Sequence, residues 1–138
     1  MKEELKKIGR KLNLIYAYSK TLHWNASGLN YYSDHLLFDR ISDEIHDLID
    51  GLIETCIIPL QKKDELKEDF VREIFKFDEN VKEAGVEAQD LLDLIVETIR
   101  LCDAVSKIEN LPEGIKTYLT DVSKALLVKG GLLDRRLK

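Results

Sequence analysis

The sequence has only two prolines and seven glycines in 138 residues, so there are few points at which a long helix must break. It has two cysteines, Cys56 and Cys102, far apart and each inside a helical pattern. That excludes a disulfide framework and predicts buried thiols in a reducing compartment. No window is long or apolar enough to cross a membrane, and the start, MKEELKKIGRKL, lacks the apolar stretch of a signal peptide. A cytoplasmic protein is expected. Internal repeats and low-complexity linkers are also missing, so residues 1–138 read as a single domain, long enough to bury a core without staples. Nor is there a strongly basic balance: the net charge of −5 excludes a molecule that attracts nucleic acid as a whole. Positive charge gathers at the two ends, with five Lys/Arg against two Glu in residues 1–11 and four against one Asp in residues 129–138. Short charged ends are ordinarily solvated, and DNA binding through them is left open but not favoured.

What is present is helical periodicity. Leu5, Ile8, Leu12, Ile15 and Leu22 recur at three-four spacing, with Ser19 in the one polar slot, and predict a helix over roughly 2–26. Gly28 and Asn30 end it, and Ser33 or Asp34 suits the N-cap of a second helix from about 34 to 58, closed by Pro59. That helix turns Phe38, Ile41, Ile45, Leu48, Leu52 and Cys56 inward. The mixed stretch 60–77 contains Phe70, Val71, Ile74, Phe75 and Phe77, enough for a short helix in a long link. A third long helix is expected from about 79 to 108, carrying Val86, Leu91, Leu94, Ile95, Ile99 and Leu101 or Cys102 inward. A fourth begins near Pro112 with Ile115, Leu119, Val122, Leu126 and Leu127, and frays or ends at Gly130-Gly131. The expected fold is all-α, a four-helix bundle with an extra short helix between the second and third helices. The long link can cross the length of such a bundle, as in ferritin-like topology.

A polar stripe runs along the second helix. At about 100° per residue, with His35 at zero, His46 falls near 20°, Asp39 near 40°, Asp50 near 60° and Glu54 near 100°. The apolar residues of the same helix fall between about 220° and 300°. His23, on the first helix beside the Leu22 core position, can lean towards this ribbon. Carboxylate with imidazole suits iron, manganese or zinc, and the lack of thiolates argues against a structural zinc site. A helix rich in Asp and Glu is ordinarily a solvated face, and spacing alone does not decide between the two readings. One chain cannot gather all these groups, because Asp39 and Asp50 are roughly 16 Å apart along a helix. Two antiparallel copies related by a twofold axis would set the His35/Asp39 pair opposite the Asp50/Glu54 pair, with His46 near the axis. No Glu-x-x-His occurs, so a within-chain di-iron bundle has little support.

The run His23-Trp24-Asn25-Ala26-Ser27-Gly28-Leu29-Asn30, then His35-Leu36-Leu37-Phe38-Asp39, then Asp50-x-x-x-Glu54, resembles the ferroxidase signature of the Dps family, the DNA-binding proteins from starved cells. The detailed match covers residues 22–54. The resemblance implies a ferritin-like subunit that assembles as a homo-oligomer, commonly a hollow shell of twelve copies. It implies metal sites between twofold-related chains, with His23, His35 and Asp39 from one and Asp50 and Glu54 from the other. It implies a ferroxidase in which these five residues bind iron, oxidise Fe(II) with hydrogen peroxide or oxygen and pass the ferric product to storage, with zinc or another divalent metal as a substitute. Trp24 would then pack against the site or quench radicals, though an interface aromatic is as good a reading. Asp43 and Asp47 read as solvated charges that could guide iron. The chain departs from the family pattern at Ala26, Asp34 and Thr55, and in the loop after the second helix, Ile57-Ile58-Pro59-Leu60-Gln61-Lys62-Lys63. A nucleoid-compacting protein and a shell with little iron turnover are the alternatives.

Overall fold

The computed structural model of the chain describes residues 1–63, 67–77 and 81–138, and the regular elements among them are all helical. In order these are α1 (Lys2–Asn25), α2 (Tyr31–Ser42), α3 (Ile45–Leu52), α4 (Phe70–Phe75), α5 (Ala88–Ser106) and α6 (Glu113–Leu137). A π-turn over Ile53–Ile57 and a 3-10 turn over Ile58–Leu60 extend α3. No helix among the described residues is long and apolar enough to cross a membrane.

The three-four spacing on α1 does what it predicts. Leu5, Ile8, Leu12 and Ile15 are fully buried, and Ser19 takes the next slot. Its hydroxyl donates to the Ile15 carbonyl at 2.6 Å, which satisfies a polar group inside the core. After Asn25, Gly28 adopts φ 83°, a left-handed turn that lets the chain double back into α2. Paired residues give the directions: Lys20 meets Asp39 and His23 meets His35, so α1 and α2 are antiparallel. Asp34 meets Arg136 and Leu48 meets Tyr118, so α6 is antiparallel to the second segment. The link after α3 runs beside α1 in its own direction: Glu68 touches Lys2, Glu73 holds Arg10, Phe75 holds Asn13 and Lys82 reaches Tyr18. That is about 24 Å of helix, so the link climbs the bundle before α5 descends against α1 through Lys11 and Glu97. The long segments thus run up, down, down and up, and the short helix α4 sits in the link as expected.

Several expectations are corrected. The second helix does not run unbroken from 34 to 58: it starts at Tyr31 with Asn30 as N-cap, and breaks at Asp43–Glu44, where Glu44 takes φ 64°. On α3 Ile49 is buried beside Ile45 and Leu52, while Leu48, expected inward, is only half-buried. The third long helix begins at Ala88. Of its expected first turns, residues 79 and 80 lie outside the described residues, and 81–87 are not helical. A capping box between Glu87 and Asp90 fixes the start there by satisfying end amides on both sides. Cys102, not Leu101, faces the core. The fourth helix passes through Gly130-Gly131 to Leu137, because Gly130 is a close contact with α5 and no stop: a Cβ there would lie 3.1 Å from Ile95. Leu127 is exposed. Both cysteines are buried free thiols, and burial pushes Cys56 up to about 11 and Cys102 to about 12.

Glycines on helices separate by what surrounds them. A Cβ on Gly51 would collide with the Tyr118 side chain, whereas Gly131 has nothing near it. Gly131→Ala is therefore expected to stabilise by up to about 1 kcal/mol through helix propensity. Gly51→Ala should instead destabilise by roughly 1–3 kcal/mol through overpacking. Thermal unfolding of the two variants beside the parent checks the opposite signs.

Candidate metal centre

The last turn of α1 and the first turns of α2 bring His23 and His35 together. Each ring nitrogen Nδ1 reaches the other residue's main-chain carbonyl, His23 to His35 at 2.6 Å and His35 to His23 at 3.0 Å. A carbonyl can only accept, so each Nδ1 carries the hydrogen and each Nε2 of the neutral ring keeps its lone pair. This is the arrangement by which metal-binding imidazoles are oriented and their tautomer fixed. The rings stack with centroids 3.8 Å apart and planes 21° from parallel, and Tyr31 stacks on His35 at 5.2 Å. His23 Nε2 lies 4.0 Å from an oxygen of Asp39. Three of the five candidate ligands therefore share one corner of the bundle.

Asp39 already has a cation. Lys20 on α1 donates to its Oδ1 at 2.8 Å, and that hydrogen bond with the attached charge holds the Asp39 carboxyl below its ordinary range and the Lys20 amine above its own. Lys20 escapes a search for ligands because it is no ligand. The signal was its place one turn before His23, which put it on the same face. Tyr31 was missed as well, and only the early start of α2 brings it within reach of His35.

The break at Glu44 separates the rest. His46 lies against Tyr16, with ring centroids 4.0 Å apart and planes tilted by 31°, and the Phe75 ring is edge-on at 5.8 Å. A shallow hollow of about 200 Å³ beside it is lined by Tyr16, Lys20, Asp43, Glu44 and Asp47 among others. Asp50 is exposed on α3, and Glu54 is exposed on the π-turn. The ribbon read from one regular helical wheel is thus carried on separate pieces of backbone, His35 and Asp39 on α2, His46 and Asp50 on α3 and Glu54 on the π-turn. Within one chain, no group of three or more His, Cys, Asp or Glu side chains among the described residues is arranged to hold a metal ion. The neighbourhood of the histidine pair is apolar and open: Trp24 is 72% exposed, and Leu29, Tyr32 and Leu36 are exposed around the same turn.

No family model, curated protein or solved structure matches the chain.

Lys20 both occupies Asp39 and repels any second cation there. Lys20→Met is therefore expected to bind Zn(II) or Co(II) more tightly, by up to about fivefold, the scale of an exposed ion pair. Calorimetric titration of both proteins checks it; equal or weaker binding by the variant would separate Asp39 from the metal.

Proposed function

We propose that the chain is a ferritin-like subunit of the Dps kind, a ferroxidase whose centre is completed by a second copy of itself. The observation that carries the reading is the reciprocal pairing of His23 and His35 with each other's carbonyls, which leaves a lone pair on each Nε2, that of His23 lying 4.0 Å from the Asp39 carboxylate. Two imidazoles and one carboxylate suit iron as well as zinc. The order of the long segments, with a link that climbs the bundle, agrees with ferritin-like topology. The exposed apolar turn around Trp24 is the kind of surface that a second protein copy covers.

Iron here is substrate. His23, His35 and Asp39 would hold Fe(II) on one chain, and Asp50 and Glu54 of a twofold-related copy would close the coordination sphere. The added carboxylate charge favours Fe(III) over Fe(II), which lowers the cost of giving up an electron. Two Fe(II) with one hydrogen peroxide and two waters give two ferric oxyhydroxide units and four protons, and oxygen can replace peroxide as the electron acceptor. A closed shell of copies, commonly twelve, would then store the ferric product and keep iron from generating radicals.

The nucleic-acid alternative has weaker support, because the basic ends are largely neutralised within the chain. Lys2 and Lys6 pair with Glu68, Lys11 with Glu97, Arg136 with Asp34 and Lys138 with Asp134, while Lys129 is buried.

His35→Ala and Asp50→Ala are expected to keep the helical content while cutting the rate of Fe(II) oxidation at least tenfold. Ferric absorbance after a peroxide pulse and the protons released measure it, and an unchanged rate in either variant removes that residue from the centre. Mixing an Asp39→Ala subunit with a Glu54→Ala subunit should recover activity in hybrid dimers, since one of the two centres then has all its ligands. Hybrids shown by mass to have formed, yet inactive, would exclude a centre shared between chains.

A further inference from the structure

Four of the five candidate ligands, His35, Asp39, Asp50 and Glu54, lie on a segment that is irregular at two points, and α6 places one side chain at the first and another one turn ahead of the second. At the first, α2 ends at Ser42 and Glu44 turns through φ 64° before α3 begins. The ammonium of Lys129, only 8% exposed, donates there to the carbonyls of Arg40 at 3.1 Å and Asp43 at 2.8 Å. Ahead of the second, the phenol of Tyr118 donates to the Leu48 carbonyl inside α3 at 2.8 Å, over Gly51 and one turn before the π-turn that carries Glu54.

We propose that Lys129 and Tyr118 are positioning residues of the candidate centre, holding the break and the π-turn so that the His35/Asp39 pair and the Asp50/Glu54 pair keep a fixed relative orientation. The proposal rests on reading those four residues as metal ligands. Its physics is local. Carbonyls at a helix end lack their usual amide four residues on and need another partner when buried; among the described residues the main chain offers that of Arg40 only the Asp43 amide, at 3.3 Å. An ammonium supplies it and also matches the negative end of the helix dipole. Without Lys129, continuing the helix through residues 43 and 44 becomes the easier way to satisfy those carbonyls. That would also relieve the left-handed Glu44 backbone, a conformation that a residue with a Cβ adopts at a cost. It would swing α3, and with it Asp50 and Glu54, relative to His35. A π-turn holds one residue more than an α-turn, so its loss would re-aim Glu54, which lies within it, relative to Asp50 on α3. In a twofold pair each half faces the opposite half of the other copy, so one such change misplaces both centres.

The test uses the full-length protein with Lys129→Met, which keeps the length of the side chain, and Tyr118→Phe, which removes one oxygen. Glu44→Gly serves as a control that keeps the break and only relaxes its backbone. Amide hydrogen exchange without metal reads the backbone, and titration with Co(II), whose visible absorption reports coordination geometry, reads the centre. The expected result is unchanged assembly and helical content in Lys129→Met and Tyr118→Phe, with exchange at least tenfold faster over residues 43–58. Co(II) should bind roughly tenfold more weakly with an altered band, the scale on which supporting partners of ligands act. Glu44→Gly should match the parent. Co(II) affinity and band unchanged in both variants would overturn the proposal. If Lys129→Met does not fold, Tyr118→Phe decides alone. A parent that binds no Co(II), or binds it equally after His35→Ala, overturns the reading of the centre and the proposal with it. In that case the exchange data still show whether α6 holds the backbone.

Discussion

The structure depends on how the main-chain carbonyls of one irregular segment, Tyr31–Leu60, find their hydrogen bonds. A regular helix would satisfy them internally. This segment departs from regularity twice, and the neighbouring helices supply what it lacks. Within it Ser42 donates to Asp39; from α6, Lys129 donates to Arg40 and Asp43 at the break, while Tyr118 and, from α1, His23 add bonds to the Leu48 and His35 carbonyls inside α3 and α2. A single such bond contributes only about 1 kcal/mol net, but a buried carbonyl left without one costs roughly 1–3 kcal/mol. The cost of leaving these bonds unmade therefore joins α1 and α6 to the segment at fixed points. The same bonds fix the rings of His23 and His35, so the architecture and the candidate chemistry rest on one set of contacts.

Helices were legible where apolar residues recur at three-four spacing, because that pattern reports burial directly. Leu5, Ile8, Leu12 and Ile15 on α1 and Ile115, Leu119, Val122 and Leu126 on α6 are buried as their spacing requires. The break at Glu44 was not legible in its own neighbourhood. A helical wheel assumes regular backbone, and the side chain that holds this irregularity comes from Lys129, 89 residues away from Arg40. A visible signal existed nonetheless: Val122, Leu126, Lys129 and Leu133 share core spacing, and a lysine in a core slot means that a facing element offers it acceptors. Likewise Gly130 read as a helix stop, although a glycine at core spacing equally marks a place where two helices touch closely.

About half of the candidate centre was readable in the same way. His23, His35 and Asp39 converge because a short turn folds α1 onto α2, which needs only the helix ends and Gly28. The relation of that group to Asp50 and Glu54 depends on the break and the π-turn, so no wheel could supply it. Lys20 stayed hidden for a different reason. A search for ligands selects groups that donate electron pairs, and an ammonium that only occupies a carboxylate is invisible to it.

Charge connects these observations to the reading of the centre as a shared site. Imidazole ligands bring no charge, and the one carboxylate beside them is already paired with Lys20. The half-site on a single chain is therefore nearly neutral towards a divalent cation and should hold it weakly. Two further carboxylates from a second copy would change the balance by two negative charges and let the metal displace Lys20. On that reading, metal binding and the pairing of two chains are linked: whatever free energy the metal gains from the second copy's carboxylates must also tighten the contact between the copies. The exposed apolar turn at Trp24, Leu29 and Tyr32 would then be covered in the same step, so burial drives the pairing while the cation selects its register. On the same reading an isolated chain would bind iron poorly and leave it unoxidised, which would confine the chemistry to assembled copies.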